Sequence, residues 1–325
     1  MTQFPLTDLT HPFETHVSPY IEETEDHLRS WLRRYNLLDS ETALTRFTSA
    51  GFADLTGRTH WQASFDDLAL VTDWLGWLFV VDDYFDDTPA GRHPDTPRTL
   101  LREALDHLTI PYRDVQPRTA LLQALADLWE RTATSSSESW QRRFVGHIAE
   151  YFDLVIWESR NRAMDQIPDF SAFYDMRRKA AGMVFVDLVE YIHHKEVPAE
   201  VLNGTAVQTL QNIAMDVTDW VNDISSLEKE VSNGEVNNFV LVTANWLGLQ
   251  VPAAIEAVGK LISDRNNQFV ALRREITESA HSMLIPTSAV DYSWYLDGLE
   301  SWISGNMHWT ITSQRYRNPD AVFTY

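Results

Sequence analysis

The chain contains no cysteine in 325 residues, which excludes disulfides, thiolate metal sites and cysteine nucleophiles. Positive charge is also scarce: 26 Lys and Arg stand against 47 Asp and Glu, a formal net charge of −21 at pH 7. A surface of that sign repels phosphate backbones and anionic lipid, so no nucleic-acid partner is expected. An anionic small molecule would need metal ions or a few focused Arg and Lys residues to hold it. No stretch reaches the ~18 uninterrupted apolar residues of a membrane span, and Met1-Thr2-Gln3-Phe4-Pro5 lacks a basic region followed by an apolar one. No membrane insertion and a cytoplasmic location are therefore expected. Nor do Val, Ile and Thr alternate with polar residues over a useful length, so there is no sign of a sheet.

What is present is hydrophobic mass at helical spacing. The hydrophobic share is 44%, enough for a substantial core, and 12 tryptophans suggest an aromatic-lined cavity, since an indole N–H suits a core only where it finds a partner. The residues up to about position 18 read as an extended arm containing Pro5 and Pro12. From Pro19 onward Ile21, Leu28, Trp31-Leu32 and Leu37-Leu38 recur at three-to-four spacing. Residues 66–81 are apolar around most of the circumference, which predicts a central buried helix. Residues 88–97 read as a loop, and helices are predicted over 98–108, 120–132, 138–161, 170–195, 207–229, 239–247 and 252–279. A final pair is predicted at 292–304 and 307–313. About ten to twelve helices with short connections predict a single all-α domain over residues 1–325, a helical bundle.

The central helix ends in Asp82-Asp83-Tyr84-Phe85-Asp86-Asp87. Carboxylates this crowded raise one another's pKa unless a cation sits among them, and a divalent metal is the simplest remedy. At about 100° per residue Asp82 and Asp86 lie about 40° apart, one turn from each other, with Asp83 and Asp87 beside them. That is a ledge of hard oxygens suited to Mg2+ or Mn2+. A second set follows at Asn222, Ser226 and Glu230, spaced i, i+4, i+8 within an arc of about 80°. An amide oxygen, a hydroxyl and a carboxylate on one stripe can hold one hard cation, with Lys229 placed to hold an anion that the metal bridges. Arg177-Arg178-Lys179 precedes the helix-weakening Gly182, and Arg315-Tyr316-Arg317 lies just past the last predicted helix. In so acidic a chain, basic pairs near a metal site point to recognition of a metal-complexed phosphate.

With these residues assembled the chain resembles the class I terpene synthases of bacterial type, from about residue 12 to residue 316. Asp82-Asp83-Tyr84-Phe85-Asp86 is similar to that family's aspartate-rich motif, and Asn222, Ser226 and Glu230 with Lys229 to its second metal motif. Arg178 and Gly182 align with the diphosphate-sensing Arg and the effector Gly, and Arg315-Tyr316 with the carboxy-terminal pair that closes over the diphosphate. Trp157-Glu158, Asn161-Arg162 and Trp302 with Trp309 also fall where the family has similar residues. Ala181 stands where some relatives carry a polar residue linking sensor and effector.

The resemblance implies a class I terpenoid synthase fold around an apolar cavity, with residues 314–325 as a lid. It implies ionisation of an isoprenyl diphosphate by three Mg2+ ions held by Asp82, Asp86 and the Asn222 set, and diphosphate bound by Arg178, Lys229, Arg315 and Tyr316. Which of Asp83, Asp86 and Asp87 completes the site is left open. Phe79, one turn before Asp82, is expected to share its face, and Phe52, Phe185, Trp302 and Trp309 are candidates to stabilise cations through their π faces. The C15 farnesyl chain, giving a sesquiterpene, is the favoured substrate, with the C20 geranylgeranyl chain of a diterpene synthase as the alternative. A chain-elongating prenyltransferase fits less well, because it would repeat an aspartate-rich motif where Asn222-Asp223-Ile224-Ser225-Ser226 stands. A non-catalytic helical protein binding metal or a hydrophobic ligand would leave both metal sets and the terminal pair without a reason to coexist. A homodimer is admitted as an assembly.

Overall fold

The computed structural model describes residues 9–86, 88–109, 117–281 and 292–316. Among these there is no strand, and the helices are α1 (Ile21–Arg34), α2 (Glu41–Thr48), α3 (Phe52–Thr59), α4 (Phe65–Asp86), α5 (Asp95–Thr109), α6 (Ala120–Ala133), α7 (Glu138–Met164), α8 (Phe170–Arg177), α9 (Gly182–His193), α10 (Ala199–Leu202), α11 (Thr205–Ser232), α12 (Phe239–Leu247), α13 (Val251–His281) and α14 (Ser293–Thr312). Short 3-10 turns occupy Pro89–Arg92 and Gln314–Tyr316. The all-α bundle expected from the hydrophobic spacing is what the chain forms. No single helix among the described residues is long and apolar enough to cross a membrane.

Helix α4 is the axis of the bundle. It is apolar on all sides, so it can be stable only when surrounded, and α1, α3, α6 and α9 pack around it. Its tryptophans are buried because their N–H groups are met: Trp74 Nε1 donates to Thr132 Oγ1 at 2.9 Å and Trp77 Nε1 to the Leu121 carbonyl at 2.9 Å. Polar side chains start the surrounding helices. Ser40, Thr119, Ser137, Asp169 and Asn238 each accept from a backbone N–H in the first turn of α2, α6, α7, α8 and α12.

Three expectations change. The helix predicted over 170–195 is two helices, broken at 178–181, where the Lys179 and Ala180 N–H groups turn back to the carbonyls of Met176 and Arg177 at 2.9 and 3.1 Å. Arg177 and Arg178 reach acids two turns apart on α11, Asp223 and Asp216, and this fixes the break. Conversely, the pair predicted over 292–313 is one helix, α14. Gly305 does not interrupt it, because α14 crosses α3 so closely that a Cβ there would stand 2.9 Å from Thr59 Cγ2. The short α2 and α3 escaped notice; eight residues carry too little periodicity, and Gly51 at φ 74° turns the chain between them.

Candidate active site

The cavity opens between α4, α7, the α8–α9 break, α11 and α14, and has a volume of about 1030 Å3. On the α4 side the acidic cluster divides its labour. Asp82 lines the cavity and makes no hydrogen bond among the described residues; Arg315 Nη2 stands 3.8 Å from its Oδ2. Asp83 is fully buried off the cavity wall and both its oxygens are taken by Arg315, at 2.7 and 3.3 Å. Asp86 lines the mouth and is bound by Arg162, whose other partners are Glu235 at 2.5 Å and Glu158 at 3.8 Å. Asp87 lies outside the described residues.

Across the cavity, α11 presents Asn222, Ser226, Lys229 and Glu230 along one face, as their spacing requires. Ser226 Oγ donates to the Asn222 carbonyl at 2.8 Å, Glu230 accepts from Asn238 Nδ2 at 2.8 Å, and Asn222 Nδ2 donates to Tyr316 Oη at 2.7 Å. Loss of solvent, reinforced by Asp223 and Glu235, pushes the Glu230 carboxyl up to about 7. Burial likewise pushes Glu158 up to about 8, and Asp82 is raised first by burial and then by Asp83. The wall therefore holds more acid than its cations neutralise. Burial pushes the Tyr316 hydroxyl up to about 12, keeping it a proton donor at neutral pH.

Below this polar mouth the lining is apolar. Phe79, Leu55, Leu75 and Leu78 come from α3 and α4, and Phe185 and Trp302 stack at 5.2 Å with 11° between ring planes. Trp309 also lines the cavity, fixed by its Nε1 donating to the Ala50 carbonyl at 2.8 Å. Arg315 lies over the face of Phe79, 4.6 Å from its centroid, so the terminal turn is held by the cavity's own aromatic wall.

Residues 73–268 match the family model described as "Terpene synthase family 2, C-terminal metal binding". A germacrene A synthase of Nostoc punctiforme is 29% identical over 98% of this chain and 97% of its own length. A pentalenene synthase of Streptomyces avermitilis is 32% identical over 97% and 94%. The crystal structure of germacradien-4-ol synthase from Streptomyces citricolor superposes with a TM-score of 0.83 at 25% identity, over 94% of this chain and 98% of that one. The chain is a class I terpene synthase.

Within this terpene synthase the structure brings together Asp82, Asp86, Asn222, Ser226, Glu230, Lys229, Arg315 and Tyr316 around one cavity. It separates three other sequence candidates from the cavity wall. Asp83 is committed to Arg315, because its position on α4 faces the terminal turn rather than the opening. Phe52 stands behind Phe79, with 4.6 Å between centroids, and packs on Phe47 at 4.7 Å in the core. Arg178 is turned away: its guanidinium grips Asp216 at 2.6 and 2.7 Å and Tyr174 Oη at 2.7 Å. Arg177 faces the cavity instead, bonded to Asp223 at 2.7 Å and to Asn222 Oδ1 at 3.2 Å. Only the angle at the helix break decides which of two adjacent arginines points inward, and no sequence period carries it. Gly182 does line the cavity. A Cβ on it would stand 2.5 Å from Met215 Sδ, so glycine lets α9 close onto α11.

Glu158, Arg162 and Asp219 also line the site; the sequence placed Glu158 and Arg162 where the family has similar residues without assigning them a role, and Asp219 was not among the sequence candidates. The first two sit on α7 at i and i+4, a spacing the sequence displays but does not connect to α4. Among the described residues no three His, Asp or Glu side chains are drawn together as a metal cluster. The donor set nevertheless fits a hard divalent cation: carboxylate, amide and hydroxyl oxygens on facing walls, with Asp82 unbonded and Glu230 short of positive charge.

Proposed function

We propose that this terpene synthase uses Mg2+ to ionise farnesyl diphosphate and cyclises the resulting cation to a sesquiterpene, releasing diphosphate. The observation that carries the reading is that hard-oxygen side chains on α4 and α11 face each other across the polar mouth of one cavity whose floor is aromatic and aliphatic. The C15 choice is supported by the sesquiterpene character of relatives such as the germacrene A and pentalenene synthases. Asp82 and Asp86 on one side, and Asn222, Ser226 and Glu230 on the other, would hold the metal, which when bound supplies Lewis-acid neutralisation of the leaving group.

The chain's own groups do the rest. Arg177, Arg315 and Tyr316 bring N–H and O–H donors to the mouth, where they bind the diphosphate oxygens as charge develops on them. Arg177 and Arg315 are held on Asp223 and Asp83, and Tyr316 Oη accepts from Asn222 Nδ2, so these groups are already aimed and few side chains need ordering. Lys229, at the mouth end of α11, adds a third cationic group. Below, Phe79, Phe185, Trp302 and Trp309 present ring faces to a carbocation and keep water from it.

Incubation with the C10, C15 and C20 diphosphates, followed by diphosphate assay and gas chromatography with mass spectrometry, tests the reading. A cyclic C15 product with Mg2+, absent with EDTA and in Asn222→Ala of unchanged helix content, is expected. Turnover of the C20 chain alone would replace farnesyl by geranylgeranyl diphosphate, and no diphosphate release from any chain would overturn the catalytic reading.

A further inference from the structure

Asp219 lies on α11 one turn before Asn222, on the same cavity-facing stripe as Asn222, Ser226 and Glu230. The three cations of this corner are bonded elsewhere: Arg177 to Asp223 and Asn222, Arg178 to Asp216 and Tyr174, and Arg265 to Asp216 at 2.8 Å and to Tyr174. Asp219 takes part in no hydrogen bond or ion pair among the described residues, and its Oδ2 is buried without a partner. A carboxylate withdrawn from water and left unpaired costs stability, and such groups cluster at working sites.

Its depth in the cavity is informative. One turn further down α11 is Met215, which packs on Gly182 beneath the Phe185 and Trp302 stack. Asp219 is thus at the junction between the polar mouth and the apolar floor, beside the space a cyclising chain would fill. Of the other polar groups of the lower wall, the Thr218 hydroxyl donates to the Ala214 and Met215 carbonyls at 2.9 and 3.2 Å and Asn306 accepts from Thr310 at 3.5 Å, while Trp302 Nε1 is buried without a partner among the described residues but is a donor and cannot take a proton. Arg177 and Arg178, both near Asp219, disfavour a further metal ion there.

Resting on the function proposed above, we propose that Asp219 receives the proton that ends the carbocation sequence, so that the product is an olefin. The C–H bond adjacent to the cationic carbon breaks, its electron pair becomes the second bond of a C=C, and the proton bonds to a carboxylate oxygen of Asp219. Asp219 returns that proton to water after the product leaves. No oxidant or further reactant is needed. Burial pushes the Asp219 carboxyl up to about 7, so its ionised form takes a proton more readily than an ordinary carboxylate does.

The test compares the full-length enzyme with Asp219→Asn and Asp219→Glu, each incubated with farnesyl diphosphate and Mg2+ and read by product analysis. In Asp219→Asn the share of the wild-type olefin should fall by about tenfold or more, replaced by alcohols from water capture or by isomers deprotonated elsewhere, and Asp219→Glu should still give an olefin, with its double bond shifted. A wild-type product spectrum in Asp219→Asn would overturn the assignment. So would a loss of about tenfold or more in Mn2+ affinity in that variant, measured on the substrate-free enzyme, which would make Asp219 a metal ligand instead. If Asp219→Asn does not fold by circular dichroism, Asp219→Glu decides, because a base moved by one methylene should shift the double bond, and an unshifted product overturns the idea. Wild-type turnover run alongside separates the two readings. Its absence overturns the proposed function and the assignment with it, whereas wild-type turnover with an unchanged variant product overturns the assignment alone.

Discussion

Arg177 presses its guanidinium against Asp223 and Asn222 on the cavity wall, while Arg178 spends both of its outward nitrogens on Asp216 and Tyr174. The two should therefore fail differently. Arg177→Ala is expected to lower kcat/KM for diphosphate release by about 10²-fold, since a donor aimed at the leaving group is lost. Arg178→Ala is expected to act mainly on stability, costing about 1–3 kcal/mol in urea unfolding, because Asp216 stays buried with Arg265 as its remaining cationic partner. If Arg178→Ala proves the more damaging to turnover at unchanged stability, the orientation at the break is misassigned. His60 offers a separate test. It is buried with Nε2 at 2.9 Å from the Phe185 carbonyl and Nδ1 at 2.9 Å from Thr59 Oγ1, and burial pushes it down to about 4. Its folded pKa lies below the unfolded ~6.5, so its contribution is present above that value and is lost as pH falls toward 4, by up to about 3 kcal/mol. Glu158, Glu230 and Asp219, pushed up to about 7–8, act in the opposite sense over the same range, so the His60 part is read by difference: between pH 7 and 4.5 the unfolding midpoint of His60→Gln should rise relative to that of the wild type.

At the scale of the element, the end of α4 is held by a close approach. The 3-10 turn after it folds back so that a Cβ on Gly91 would overlap the Phe85 carbonyl oxygen, which is backbone and cannot swing aside. Gly91→Ala is expected to destabilise the protein by more than about 2 kcal/mol and to reduce turnover as well, because Asp82 and Asp86 ride on the turn it displaces. Thermal unfolding with a parallel product assay checks both. The helix break between α8 and α9 and the uninterrupted α14 show the limit of periodicity as a guide. Residues 170–195 keep one apolar rhythm across a bend that ion pairs to α11 impose, and Gly305 looks like a stop until α3 is seen pressed against it. In both places a tertiary contact outweighs the local preference.

Across the whole molecule, the basic groups around the cavity are engaged with acids that surround the same opening: Arg315 with Asp83, Arg162 with Asp86, and Arg177 with Asp223. These pairs neutralise only part of the acid around the opening, and Asp82 and Glu230 are left underpaired. A ligand combining divalent metal with diphosphate satisfies both sets at once. Mg2+ together with inorganic diphosphate at about 100 times Kd should therefore raise Tm by roughly 5 °C, more than the sum of either alone, and EDTA should remove the rise. Equal effects of diphosphate with and without metal would contradict this coupling.

The sequence by itself determined the all-α architecture, the central position of α4 and the oxygen-bearing residues of the two facing walls. Each of these follows from short-range spacing: apolar residues at every turn bury a helix, and oxygens at i, i+4 and i+8 share a face whatever that helix packs against. Only the tertiary structure decided which acid of Asp82-Asp83-Tyr84-Phe85-Asp86 is committed to Arg315, which of Arg177 and Arg178 turns inward, and that Phe52 is core while Phe79 is wall. It alone set Asp219, whose Oδ2 has no partner among the described residues, one turn from Asn222 on the same cavity-facing stripe. Those choices depend on the direction in which one helix meets another, and neighbouring side chains on a helix point about 100° apart, so a small rotation set by distant packing exchanges their roles.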